Sequence, residues 1–220
     1  MSKGSSPQED ITGNTYTDLG ATTKEAYQIS EKSRKMAKKA IGDQDYEDRV
    51  RQRCSIAVGD FAMAPLLRFI RDPVHAGFHA LERQAPLITD IHMVQVGIQK
   101  KGHRSEVICA LDYAGSAFEL GVTRSRAGIL SLAGRLDGAI VVIGNAPSAL
   151  LSLCDLIREG HTPSLVVGTP VGFVNAAESK ALLRTLPVPS ISNEGTRGGT
   201  PVAVAAINEI ITIYAEHGQY

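Results

Sequence analysis

Hydrophobic residues in the first third of the chain recur at intervals of three and four, which is the period of an α-helix. Over 23–41 small and apolar residues follow this spacing with Lys and Glu between them, and Gly42 is placed to cap the C-terminus. A second helix is predicted over 46–58. A third should follow Asp72-Pro73, because proline fits the first turn of a helix. These patterns predict an N-terminal helical segment.

After residue 85 the pattern changes to short runs rich in β-branched residues, separated by stretches with helical spacing. The short runs predict strands over 86–89, 107–111, 139–143, 164–167 and 189–191. The longer stretches predict helices over 90–97, 125–136, 146–159, 176–183 and 201–214. Such alternation is typical of α/β proteins. We therefore predict an α/β fold with a predominantly parallel sheet and helices on both faces, in addition to the N-terminal helical segment.

Composition and charge narrow the classes of function. The chain has 220 residues, 43% of them hydrophobic, which is enough for the one domain that we place at 23–220. Residues 1–22 are mostly small and polar and predict a flexible N-terminal arm.

The charge balance bears on possible partners. Lys plus Arg and Asp plus Glu both number 23, so no net charge favours nucleic acid or an anionic membrane as a partner. No run is apolar for long enough to span a bilayer, and we expect a cytoplasmic protein.

The three cysteines add no chemistry at this stage. Cys54, Cys109 and Cys154 are an odd number and lie far apart in the sequence. Metal sites and disulfide frameworks usually show paired or closely spaced cysteines. We therefore predict reduced, buried thiols and no metal site.

Polar loops follow the predicted strands. In parallel sheets, ligands bind beyond the carboxyl ends of the strands, where the loops into the helices gather. Helix N-termini there present backbone amides that attract anions, and Arg124, Lys180 and Arg197 would add full positive charges. The loops therefore predict a crevice that binds carboxylates or phosphates. They are Thr89-Asp90, 123–125, 144–147, 168–173 and 195–200.

Each loop also has a purely structural interpretation. Residues 144–147 can form a tight turn capped by Asn145, and Thr89-Asp90 can be only a helix cap. Arg124 can be an ordinary surface residue. The glycines of 195–200 can be present only because the backbone there adopts positive φ angles, which glycine tolerates best. The sequence contains no G-x-G-x-x-G after the first strand and no G-x-x-x-x-G-K-[ST]. These motifs bind dinucleotides and nucleoside triphosphates, so their absence argues against a nucleotide-dependent enzyme.

Several short motifs occur in a fixed order from about residue 23 to the C-terminus. They are Ala85-Pro86-Leu87-Ile88-Thr89-Asp90 with Met93-Val94, Glu106-Val107-Ile108-Cys109, Thr123-Arg124-Ser125, Val142-Ile143-Gly144-Asn145-Ala146-Pro147-Ser148-Ala149-Leu150, Pro170-Val171-Gly172-Phe173-Val174, Ala176-Ala177-Glu178-Ser179-Lys180 and Arg197-Gly198-Gly199-Thr200. Each is weak alone, but their joint order is specific. In this order the chain resembles the precorrin-8X methylmutases, also called cobalt-precorrin-8 methylmutases or precorrin isomerases.

The resemblance implies a homodimer that binds a corrin precursor with acetate and propionate arms and uses no cofactor. It implies an isomerisation in cobalamin biosynthesis, in which a methyl group migrates between neighbouring carbons of pyrrole ring C and a proton then relocates. Such a reaction asks mainly for positioning and protonation. The resemblance implies substrate contacts at Ser33, Thr89, Asp90, Thr123, Arg124, Ser125, Asn145, Gly172, Phe173, Arg197, Gly198 and Gly199.

One position departs from the family pattern. Members carry a histidine that is held to protonate the ring, in a stretch like Arg-x-Ile-His-x-x-Gly-Asp. Here Arg53 and Gly59-Asp60 fix the register, and the histidine position is Ile56, which cannot move a proton. Three hypotheses follow: another donor acts, with His92 as the candidate catalytic residue; the chain binds a tetrapyrrole or corrinoid without turnover; or it isomerises a different tetrapyrrole.

Overall fold

The computed structural model describes residues 21, 23–115 and 121–217 of the chain. Its strands are β1 (Leu67–Ile70), β2 (Leu87–Thr89), β3 (Val107–Cys109), β4 (Ile140–Ile143), β5 (Leu165–Gly168) and β6 (Ser190–Asn193). They form one sheet in the order β1-β6-β5-β4-β2-β3. All neighbours are parallel except β1 and β6, which are antiparallel. The predicted, predominantly parallel sheet is confirmed.

Eight α-helices occur within the described residues. They are α1 (Lys24–Ile41), α2 (Tyr46–Val58), α3 (Pro73–Glu82), α4 (His92–Gly97), α5 (Arg124–Ser131), α6 (Pro147–Arg158), α7 (Ala176–Leu183) and α8 (Thr200–Glu216), with 3-10 helices at Phe61–Leu66, Ala110–Tyr113 and Ala133–Arg135. The N-terminal helical segment is confirmed. None of these helices is both long enough and apolar enough to span a bilayer. Apart from Ala21, the arm predicted over 1–22 lies outside the described residues.

The sequence patterns missed strand β1. It is a four-residue strand at the edge of the sheet, where it pairs with β6 on one side and with no described strand on the other. A 3-10 helix that contains Pro65 precedes it. Its register is set by β6, because Leu67 pairs with Asn193 and Ile70 with Ser190. A short edge strand has little periodicity of its own. Its pairing therefore depends on a segment more than a hundred residues away in the sequence.

Helices cover both faces of the sheet, as the alternating pattern predicts. Along β4, Ile140 and Val142 point into a core formed with helices α2, α3, α4 and α8. Val141 and Ile143 point into a second core, formed with α5, α6 and α7. Every residue of β4 is buried, which explains why its sequence is an unbroken apolar run.

A buried carboxylate fixes helices α1 and α2 against α8. Glu209 is fully buried in the middle of α8 and forms ion pairs with Arg34 of α1 and with Arg49 and Arg53 of α2. The Arg49 Nε and Arg53 guanidinium nitrogens lie 3.0 and 3.1 Å from the carboxylate oxygens. Because Arg53 is one turn before Ile56, this network also sets where Ile56 lies.

Candidate functional site

The candidate site lies at the carboxyl edge of the sheet. Five parallel strands end there, at Thr89, Cys109, Ile143, Gly168 and Asn193. From β3 to β6 the edge spans four strand spacings, or about 19 Å. An edge of this length offers several separate contact points to one extended ligand. We call it the carboxyl edge.

Asp90 links the first loop of the carboxyl edge to the third. Its fully buried carboxylate accepts hydrogen bonds from the backbone N–H groups of Gly144, Asn145 and Ala146, at 3.1, 2.8 and 2.8 Å. Burial raises the pKa of Asp90, while the three backbone donors oppose that rise. The amides that precede α6 are thus already occupied by the Asp90 carboxyl group. The Asn145 side chain is exposed, and the Thr89 hydroxyl is buried and donates to the Ile108 carbonyl at 3.1 Å.

Thr123 stands beside the start of α6. Strand β3 ends at Cys109 and the 3-10 helix Ala110–Tyr113 follows, while residues 116–120, which precede this loop, lie outside the described residues. Thr123 caps α5, because its hydroxyl accepts from the Arg126 N–H at 3.3 Å. The same hydroxyl lies 2.8 Å from the Ser148 hydroxyl. Arg124 is exposed and Ser125 half-buried at this junction.

Two glycines allow the loop after β6 to approach the loop after β5. The Gly199 N–H donates to the Thr169 carbonyl at 2.7 Å. At Gly198, a Cβ atom would lie only 2.3 Å from that carbonyl oxygen, and φ is +145°. Only glycine fits such a contact and such a backbone angle. A second bond, from the Gly172 N–H to the Thr196 carbonyl at 3.1 Å, holds the two loops together.

Buried Lys180 fixes the carbonyl of Arg197. Its Nζ donates to the Arg197 carbonyl at 2.5 Å and to Asn193 Oδ1 at 3.3 Å, and the Asn193 amide donates to the same carbonyl at 2.6 Å. Burial, and after it the charge of Arg184, lowers the pKa of Lys180 to about 8. The buried Lys180 side chain thus holds the loop that carries Arg197 in place by a hydrogen bond.

Two neighbouring cavities flank the start of α8. In the first, of about 270 Å³, the Arg197 guanidinium pairs with Asp60 at 2.9 Å. It is lined by Val58, Asp60, Met63, Val171, Arg197, Gly198 and Val202. The second, of about 310 Å³, is lined by Arg53, Ile56, Ala57, Pro201, Val204, Ala205 and Asn208. Position 56 therefore lies beside the loop that carries Arg197 and Gly198.

The loop after β5 exposes apolar side chains to solvent. Phe173 is 94% exposed and Val174 is 74% exposed. Phe173 and Val174 are adjacent and form one exposed apolar patch, and contiguous patches are more informative about contact surfaces than single exposed residues. Ser33 is half-buried on α1.

His92 makes a contact with Asp112 that the sequence patterns did not reveal. Its Nε2 lies 2.8 Å from Asp112 Oδ1, and both side chains are about half exposed. The buried Cys109 thiol lies beside them, and burial raises its pKa. The strand register could have indicated the pair: Thr89 pairs with Cys109, so His92 and Asp112 each come three residues beyond the same rung.

Loops that follow different strands thus meet along one edge, and comparison with known proteins defines the class. The family model CbiC, precorrin-8X methylmutase, matches residues 28–213. A cobalt-precorrin-8 methylmutase of Methanocaldococcus jannaschii is 38% identical over 90% of this chain and 99% of its own length. One from Priestia megaterium is 39% identical over 92% of this chain and 94% of its own length. The cobalamin biosynthesis protein CbiHC of Archaeoglobus fulgidus is 37% identical over 88% of this chain, which spans 41% of that protein's length.

Solved structures agree with this assignment. A precorrin-8X methylmutase from Thermus thermophilus matches with a TM-score of 0.80 and 36% identity, over 87% of this chain and 97% of its own. The fold and its carboxyl edge define an α/β protein with a polar, arginine-bearing crevice. The chain belongs to the precorrin-8X methylmutase family.

Proposed function

We propose that this protein is a methylmutase that converts precorrin-8X, or its cobalt form, by moving a methyl group on pyrrole ring C. The observation that carries the proposal is the convergence of the family motifs on the carboxyl edge. Asp90 joins the first loop to the third, and Gly199 joins the last to the one before it. The reaction is an intramolecular shift: one carbon–carbon bond to the methyl group breaks while another forms, and a proton then relocates.

The substrate's acidic rim would be bound from several points along the carboxyl edge. We assign direct contacts to the exposed side chains of Arg124, Asn145 and Arg197, since charge-assisted bonds to carboxylates are the strongest that such a surface can make. Phe173 would pack on the flat macrocycle. Thr89, Asp90, Thr123, Ser125, Gly172, Gly198 and Gly199 would shape these loops, and Ser33 stays a proposed contact from α1.

His92 is the proposed proton donor. An isoleucine at position 56 cannot supply a proton, whereas His92 is half exposed and its ring is held by Asp112. A carboxylate in this position orients an imidazole for proton transfer, as it does in many enzymes. The family's homodimer and a cytoplasmic location are part of the same proposal, and light scattering of the purified protein tests the dimer.

A second candidate function follows from Ile56 alone. With an apolar residue at that position, the protein could bind a corrinoid without converting it, as a carrier or as the partner of an active paralogue. This candidate predicts binding with no turnover. It differs from the first in chemistry and not in fold, so a single experiment separates the two.

The experiment is an anaerobic incubation of the purified protein with precorrin-8X and, separately, with its cobalt form. Binding shifts the absorption spectrum of the ring in both cases. The proposal predicts hydrogenobyrinate or cobyrinate over many turnovers per chain. A spectral shift without product would establish the binding protein instead, and neither shift nor product would refute both.

A further inference from the structure

A cluster of three ligand types stands at the β2–β3 end of the carboxyl edge. The His92 imidazole, the Cys109 thiol and the Asp112 carboxylate each place one ligand atom within 4.8 Å of the other two. They combine a nitrogen, a sulfur and an oxygen ligand. Mixed sets of this kind suit Zn²⁺ and Co²⁺, whereas Mg²⁺ and Ca²⁺ prefer oxygen alone.

The local backbone explains why these side chains meet. Cys109 is the last residue of β3, and the 3-10 helix Ala110–Tyr113 begins directly after it. A 3-10 helix has three residues per turn, so positions 109 and 112 lie on the same side. His92 begins α4 three residues after Thr89, and Thr89 is the parallel partner of Cys109. Register and turn geometry together produce the cluster.

From this arrangement we infer that His92, Cys109 and Asp112 bind one divalent transition-metal ion of the zinc or cobalt(II) type. Ligand atoms around a tetrahedral ion are about 3.5 Å apart, so only small side-chain rotations are needed. His92 and Asp112 are 53% and 54% exposed and can make them, while Cys109 is held in place inside the protein. Thiolate and carboxylate together balance the charge of the ion. Three protein ligands leave a fourth position open towards solvent.

This inference does not rest on the proposed function, because metal binding is measured without substrate. It revises the prediction from the sequence, in which the wide spacing of the cysteines indicated no metal site. An ion bound to Nε2 takes the place of the proton on that atom, so the ring can no longer be the imidazolium that would donate a proton from Nδ1. The metal-free protein is therefore the form in which His92 can act as an acid.

The test is a cobalt(II) titration of protein freed of metal with a chelator. A thiolate–cobalt charge-transfer band that saturates at one ion per chain, and that zinc abolishes by displacement, is the expected result. Cys109→Ser should remove the band. His92→Asn and Asp112→Asn should each weaken binding by at least about tenfold, since loss of even an indirect partner of a metal ligand has that effect.

The matched control is His75, which makes the same kind of contact with Asp72, at 2.8 Å, but belongs to no such three-ligand cluster among the residues that the structure describes. His75→Asn should leave the titration unchanged. Since His92 and Asp112 are exposed, their substitution should not unfold the chain, and a thermal melt checks this. The inference is overturned if the wild type shows no charge-transfer band, if Cys109→Ser binds as tightly as the wild type, or if His75→Asn weakens binding as much as His92→Asn does.

Discussion

The two ends of the carboxyl edge expose different chemistry. The end near β6 has Ile56 and Val171 beside its cavities, together with the Asp60–Arg197 ion pair. The end at β2 and β3 has His92, Asp112 and the Cys109 thiol. The first end can hold a carboxylate and pack on an apolar ring, whereas the second carries groups that can move a proton or bind a metal. Under the proposed function, binding beside Ile56 and proton transfer by His92 therefore take place at separate ends of the carboxyl edge.

The largest expected effect concerns the proton donor. His92→Asn should lower the turnover of metal-free protein by about 10²- to 10⁴-fold, which is the usual loss when a general acid is removed. Single-turnover kinetics with precorrin-8X measures it. His75→Asn, which removes a separate histidine–aspartate contact, should have no effect. Full activity of His92→Asn would show that the proton comes from elsewhere.

Asp90 supports the β2–β3 end, because it lies two residues before His92 and holds the loop at 144–146. Asp90→Asn places an amide N–H against backbone N–H donors and should lower the free energy of unfolding by about 3 kcal/mol. Urea denaturation measures the change. Asp137 is exposed and accepts from one backbone N–H, that of Thr162, at 2.7 Å. Asp137→Asn should therefore have the smaller effect, and equal losses would contradict the importance given to Asp90.

A histidine introduced at position 56 tests whether the β6 end can also supply the proton. In the His92→Asn background, Ile56→His should recover turnover by at least about tenfold, because a general acid is worth more than that when well placed. Ile56→Asn has similar polarity but no titrating ring and should recover nothing. Equal recovery by both variants would mean that position 56 acts through packing rather than through proton transfer.

The smallest effect concerns the pH dependence of stability at Lys180. Between about pH 8 and its ordinary pKa of 10.5, Lys180 is neutral in the folded protein and still protonated in the unfolded chain. The unfolded state then binds more protons, so Lys180 makes stability increase with pH across this window. Lys180→Met should remove this contribution in urea denaturation over the same range. Parallel curves for the two proteins would contradict the lowered pKa.

Most of the fold follows from patterns that are local in the sequence. Helices α2 and α7 coincide with their predicted ranges, and the five parallel strands agree to within two residues, because apolar runs and helical spacing reflect burial directly. The ends of elements are less predictable. Residues 110 and 111, for example, were expected in β3 and belong to a 3-10 helix. Strand β1 was missed because β6 determines it.

The site could be predicted only in part, because local patterns in the sequence do not show which distant segments come into contact. Loop positions after strands follow from the parallel topology, which is why Asn145, Gly172 and Arg197 could be named from the sequence. Contacts between loops depend on register and on close approach. The pairing of His92 with Asp112, and that of Asp60 with Arg197, therefore appear only in the folded chain.

The central claim is that the carboxyl edge binds the acidic rim of a corrin precursor, and binding measures it most directly. Spectral titration with cobyrinate should give at least about tenfold weaker binding for Arg124→Gln and for Arg197→Gln, since each removes a charge-assisted bond. Arg158 is exposed at the opposite end of α6, and Arg158→Gln should bind like the wild type. Unchanged affinity in the first two variants, or an equal loss in the third, would contradict the account.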